Sequence, residues 1–195
     1  MESHTFQRIV AYVIDIFIIA FIALILTIGI PESKKYKEAQ KQESTLMEDY
    51  NNKKINESEY IDKLYEARYT MSKESVATSL ITVVITFGYF AGLTFYNKGQ
   101  TLGKKLLHIK VVSEDSSEAR YSQLIGRVLI HNGCLTSILS IIIIFFIKSN
   151  QYIYTIGILE LIQSIIMITS FIMIICRKDK RGLHDIICKT KVIEC

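Results

Sequence analysis

One proline, Pro31, stands in the whole chain, and the motifs that mark most soluble enzymes are missing. The four cysteines (Cys134, Cys176, Cys188 and Cys195) include no Cys-x-x-Cys pair or other metal-ligand spacing, so they read as structural or incidental thiols. There is no His-Glu-x-x-His and no nucleophile beside a base, which leaves no catalytic, metal or cofactor residue to name. The Gly-x-x-x-x-Gly-Lys-[Ser/Thr] order of a phosphate-binding loop is also absent, although lysines follow Gly103. The chain is therefore expected not to be an enzyme. A net charge of +4 is too small to point to nucleic acid. No small-x-small cleavage site precedes Pro31, so the first apolar run is expected to remain as an anchor.

What the chain does have is hydrocarbon. Half of its residues are hydrophobic, and they come in blocks too long and too pure for the buried helices of a soluble domain. After Arg8, twenty-two residues run to Ile30 with a single charge, Asp15. At ~1.5 Å per residue they cover about 33 Å, enough for a bilayer core of ~30 Å. Spans are expected at about 9–30, 76–96, 126–147 and 152–176. Segment 32–75 holds nine basic and ten acidic residues, whereas segment 97–127 and the tail after Cys176 each hold six basic and three acidic. Loops rich in Lys and Arg stay in the cytoplasm. Both termini and the 97–127 loop are thus expected inside the cell membrane, and 32–75 outside.

The expected fold class is all-α, a four-helix transmembrane bundle forming one domain over 1–195. It carries an extracytoplasmic helical hairpin at 32–75 and a short cytoplasmic strand pair. Lys34 to Tyr50 favours helix, and Asn56 with Glu59 has the spacing of a capping box that opens a second helix through Lys73. Leu46, Met47, Tyr50, Ile55, Tyr60, Ile61, Leu64, Tyr65 and Tyr69 can form the hairpin's seam. In the second span Gly88-x-x-x-Gly92 permits close helix contact, and Thr78, Ser79, Thr82 and Thr86 can satisfy their hydroxyls on the preceding turn. Leu102 to Leu107 is expected at the membrane surface with its lysines towards headgroups. Ile109–Val112 and Thr190–Ile193 are short β-prone runs, unstable alone and expected to pair.

The charged residues within apolar runs are the candidate site. An ionised carboxylate in hydrocarbon costs ~2.5–3.5 kcal/mol on insertion scales, so Asp15 should face protein. Arg8, Ala11 and Asp15 share one helical face, and the small Ala11 lets a neighbouring helix come close. Arg127, His131 and Asn132 lie at a similar depth and are the expected partners of Asp15. Glu160, with Gln163 and Ser164 on its face, enters from the opposite side at a depth differing by ~8 Å. Asp15 and Glu160 are therefore two points on a path across the membrane, or two separate structural groups. In the tail, Arg181 and Asp185 can pair, His184 can titrate near neutrality, and Asp185 can dock on Arg8 or Arg127.

Arg8-x-x-Ala11-x-x-x-Asp15, Gly99-Gln-Thr-Leu-Gly-Lys-Lys before Ile109-Lys-Val-Val, Arg127 opening the third span, and Arg181-Gly-Leu-His-Asp185 leading into Thr190-Lys-Val together resemble the RDD family. These are small multi-pass bacterial membrane proteins named for an arginine and two aspartates. The resemblance implies that Arg8, Asp15 and Asp185 are the motif residues, and it suggests cation/proton exchange, to which some members are linked. Two functions stay open. One is transport of a monovalent cation or proton along Asp15 and Glu160, with His131 a further candidate on the path, gated by Arg8 or Arg127, and expected to need a homo-oligomer in the lipid bilayer. The other is a non-transporting scaffold or partner-binding module in which the Arg and Asp residues are structural. A polar cavity joining Asp15 to Glu160 favours the first, and a dry, tightly paired Asp15 the second.

Overall fold

The computed structural model describes residues 5–195. Three of its helices are long and apolar enough to cross a membrane: α1 (Thr5–Thr27), α4 (Val76–Tyr96) and α8 (Ser149–Cys176). Helix α1 begins earlier and ends earlier than the expected 9–30, stopping in a turn before Gly29 and Pro31. The third expected span, 126–147, is not one helix. It is two, α6 (Tyr121–His131) and α7 (Cys134–Ile143), bent by 69° at Asn132–Gly133. Gly133 sits at φ +69°, where the Cβ of any other residue strains the backbone, and this ends α6 sharply. Only if the bent pair is counted as one span are there four. Large apolar side chains along α1 and α8, among them Phe17, Phe21, Leu161 and Ile165, stay exposed, as hydrocarbon-facing helices require.

Between the first two long helices lie α2 (Lys34–Asn51) and α3 (Glu57–Glu74), which pack on each other as a hairpin. Ser33 caps α2 by accepting from Tyr36 N–H at 3.0 Å, and Asn56 caps α3 by accepting from Glu59 N–H at 2.9 Å. Glu59 does not complete a capping box in return; its carboxylate pairs with Lys63 at 2.7 Å. The seam is smaller than the sequence suggests. Ala39, Leu46 and Ala67 are its buried residues, with Tyr50 stacked on Tyr60 at 4.8 Å. Tyr65 and Tyr69 leave the seam and pack on Tyr154 and Tyr152 of α8, fastening the hairpin to that end of the molecule.

Helix α4 contains one π-helical stretch, Gly88–Leu93. Nothing lies within 4 Å of a Cβ placed at Gly88 or Gly92, so this glycine pair does not mediate close helix contact. Its glycines instead sit in the widened turn. Thr78, Thr82 and Thr86 bond to the preceding turn as expected, at 2.8, 3.0 and 2.8 Å. After α4 come α5 (Leu102–Leu106) and β1 (Ile109–Ser113); the tail supplies α9 (Leu183–Ile187) and β2 (Thr190–Glu194). The two strands pair antiparallel, Val111 opposite Val192, as expected. That pairing gathers the start of α1, the 97–127 segment and the tail at one end, with the hairpin at the other.

Candidate buried-aspartate site

Two buried aspartates organise the sheet end, and α1 serves both. Asp15, one helical face with Ala11, is 0% exposed. Its Oδ1 accepts from Tyr89 Oη at 2.6 Å and from Gly103 N–H at 2.8 Å, and its Oδ2 accepts from Thr101 Oγ1 at 2.6 Å. The π-helical turn of α4 delivers Tyr89, while the Gly99-Gln-Thr-Leu-Gly stretch delivers the other two. Gly99 turns the chain at φ +98°, and a Cβ there would lie 2.1 Å from Val111 O. Gln100 ties this turn to the sheet through Ile109 O at 3.1 Å. At Gly103 a Cβ would lie 2.3 Å from Ala11 O, so the small Ala11 does admit a close neighbour, and that neighbour is α5. Arg127, His131 and Asn132, expected as partners of Asp15, do not bond to it. Hydroxyl and backbone donors had already filled its oxygens.

Asp185 holds the cations instead. Both Arg8 and Arg127 donate to its carboxylate, Gly182 N–H donates at 3.0 Å, and Arg127 also reaches Thr190 Oγ1 at 2.6 Å. Arg8 further donates to the carbonyl of Lys180. Asp185 thus docks on both arginines, joining α1, α6 and the tail. Burial pushes its carboxyl up, but the guanidiniums of Arg127 and Arg8 together outweigh that and hold it well below the ordinary carboxylate range. Arg181 does not pair with Asp185. It donates to Thr190 O at 3.1 Å and to Glu114 at 2.7 Å. His184 is not poised near neutrality either: burial pushes it well below the usual histidine value, with Arg127, His131 and Arg8 pushing the same way and Asp185 opposing. Its Nδ1 meets Ser170 Oγ of α8 at 2.6 Å.

The remaining candidates separate from this pair. His131 stacks against His184, with ring centroids 4.3 Å apart, and against Tyr12 at 5.0 Å. Glu160 is exposed on α8, and among the described residues its carboxylate has no partner; Ser164 bonds only to its backbone carbonyl, and Gln163 turns to Ile130 O at 3.0 Å. Lys105 is exposed, but Lys104 is not turned to a surface as expected. Its Nζ lies 5.9 Å from the centre of the Phe90 ring, and burial pushes its pKa down to about 8, with Asp15 pulling it back. Among the described residues no group of three or more His, Cys, Asp or Glu side chains is placed to hold a metal ion. Tyr89, Thr101 and Gly103 were missed in the sequence because a hydroxyl or a peptide N–H carries no charge to flag it.

Several long apolar helices and two carboxylates sealed at one end define a multi-pass membrane protein. The RDD family profile matches residues 3–189, and the chain belongs to the RDD family. It is similar to the uncharacterized protein YxaI of Bacillus subtilis (strain 168), at 32% identity over 139 residues, covering 71% of this chain and 68% of that protein. No solved structure gives a significant match.

Proposed function

We propose that this RDD protein is a non-transporting, non-catalytic membrane module whose Arg and Asp residues lock three segments into one docking face. One observation carries the reading: Asp15 is wholly buried with three donors on its two oxygens. Among the described residues one cavity lies at the sheet end and another between the hairpin and the helix ends near Tyr152. Neither of these is lined by Asp15 or Glu160, so neither supports a polar route joining the two. On this reading the sheet end, with its excess of Lys and Arg, faces the cytoplasm of a cell membrane and the hairpin faces outward. The module works by presenting one of those faces to a partner.

The test is cation-driven proton movement in sealed vesicles with Na⁺, K⁺ and Li⁺ across pH 6–9, comparing the intact protein with Asp15→Asn. The expected result is no movement in either, with Asp15→Asn less stable by about 1–3 kcal/mol through its lost charge-assisted bonds. Movement by the intact protein that disappears in a folded Asp15→Asn would overturn the reading. One observation favours the transport alternative. Glu160 lies about 16 Å along α8 from Ser149 at ~1.5 Å per residue, bare on an apolar helix, where a second copy of the chain could cover it.

A further inference from the structure

The cavity at the sheet end, about 330 Å³, has a composition that the aspartate locks do not explain. Its polar lining includes Arg8, Arg127, Lys104, His131, Thr94 and His184. Arg8 and Arg127 share the single carboxylate of Asp185, which balances one of their two charges, and His184 is engaged by Ser170. The other three are left over. Among the described residues Lys104 Nζ has no hydrogen bond and no ion pair, only the Phe90 ring. Thr94 Oγ1 and His131 Nδ1 are buried side-chain atoms without a hydrogen-bond partner. An unmet buried polar atom costs about 1–3 kcal/mol, so two in one cavity call for an explanation.

Thr94 is the more telling of the two. It is 1% exposed, and the other helical threonines of α4 each satisfy themselves on the preceding turn. Thr94 directly follows the π-helical stretch and does not, so its hydroxyl is free for something else. Much of the remaining lining is apolar, and it includes Ile9 of α1 and Met167, Ile168 and Phe171 of α8. Ile168 and Phe171 are also exposed on the outer surface, so the cavity wall continues into the face that hydrocarbon would cover.

A spare cation, two unmet polar atoms and a wall shared with the lipid-facing surface match an acidic headgroup attached to hydrocarbon. We propose that this cavity binds the phosphate headgroup of an anionic membrane phospholipid, held by Lys104, with Thr94 Oγ1 and His131 Nδ1, sealed in the empty cavity's wall, turning to meet it, and with its chain lying against Ile168 and Phe171. Charge complementarity selects the anion, and the continuous apolar wall selects a lipid over a water-soluble anion. This deepens the module reading by giving the docking face a lipid. Headgroup binding and proton flux are read separately, so either idea can fail alone.

The experiment is a thermal-shift titration of the full chain in uncharged detergent with phosphatidylglycerol, phosphatidylcholine, oleate and inorganic phosphate. Phosphatidylglycerol is expected to raise Tm saturably, and the other three to give no comparable shift. Lys104→Met and Thr94→Val are expected to weaken the phosphatidylglycerol effect about tenfold while leaving Tm without lipid unchanged or higher, since each removes an unmet polar group from the interior. An equal response to phosphatidylcholine, oleate or phosphate overturns the assignment. So does a phosphatidylglycerol response that both variants retain in full.

Discussion

The two buried aspartates of this protein are equally hidden and differently held. Asp15 is gripped by uncharged donors, a phenol, a hydroxyl and a peptide N–H, whereas Asp185 is gripped by two guanidiniums. Arg8 and Asp15 are seven residues apart on α1, about 10 Å along its axis, yet they belong to different clusters. An uncharged cage needs nothing to balance it when the aspartate is changed, but a caged pair of arginines does. The Asp15 cluster therefore behaves as a joint between α1, α4 and α5, and the Asp185 cluster as an electrostatic clasp on the tail.

The clasp should fail hardest. Asp185→Ala strands Arg8 and Arg127, whose side chains are 8% and 12% exposed, against each other with no anion. The expected loss is about 3–5 kcal/mol, read as a large drop in Tm in detergent. A loss no greater than that of Asp15→Asn would erase the distinction between joint and clasp. The joint should respond instead to volume. Gly103→Ala drives a methyl into the Ala11 carbonyl and the Asp15 carboxylate, and should cost about 1–3 kcal/mol by prising α5 from α1. An unchanged Tm would show that α5 is not held there.

The clasp should also weaken in acid. Asp185 and His184 are both held below their ordinary values, so each contributes stability that is complete above its unfolded pKa and lost as pH falls. With unfolded values near ~6.5 for His and ~3.9 for Asp, Tm should decline in two stages, beginning below about pH 6.5. His184→Gln, which can keep a bond to Ser170, should shrink the upper stage and leave the lower one. A Tm that stays flat from pH 7.5 to 4 would contradict this. The smallest effect is expected at Glu160. With no side-chain partner among the described residues, Glu160→Gln breaks no bond and should not lower Tm, and a loss would mean a partner covers it.

Sequence reading recovered what repeats along the chain. Apolar length gave α1, α4 and α8, and β-branched runs gave the strand pair. It also placed Arg8, Arg127 and Asp185 within one family pattern, because charges in or beside apolar segments are conspicuous. It misjudged the third span, since Asn132–Gly133 lies in a run whose composition stays apolar while its backbone turns at φ +69°. It assigned Arg127, His131 and Asn132 to Asp15 by matching depth, which is a single coordinate. Depth says nothing of the direction in which a side chain points around the helix.

The chain alone thus determined that its helices belong in a membrane, that Arg8 and Asp15 share a face, and that Ala11 leaves room beside them. Those properties follow from hydrophobicity and from the 3.6-residue turn, both of which are local. Which aspartate each arginine serves was decided only by tertiary structure. Gly103 admits the peptide N–H of α5 to Asp15 before any guanidinium can reach it, and β1 pairing with β2 swings the tail back until Asp185 stands between Arg8 and Arg127. Contacts between residues 58 and 177 positions apart depend on where several elements lie at once, and no window along the sequence contains them.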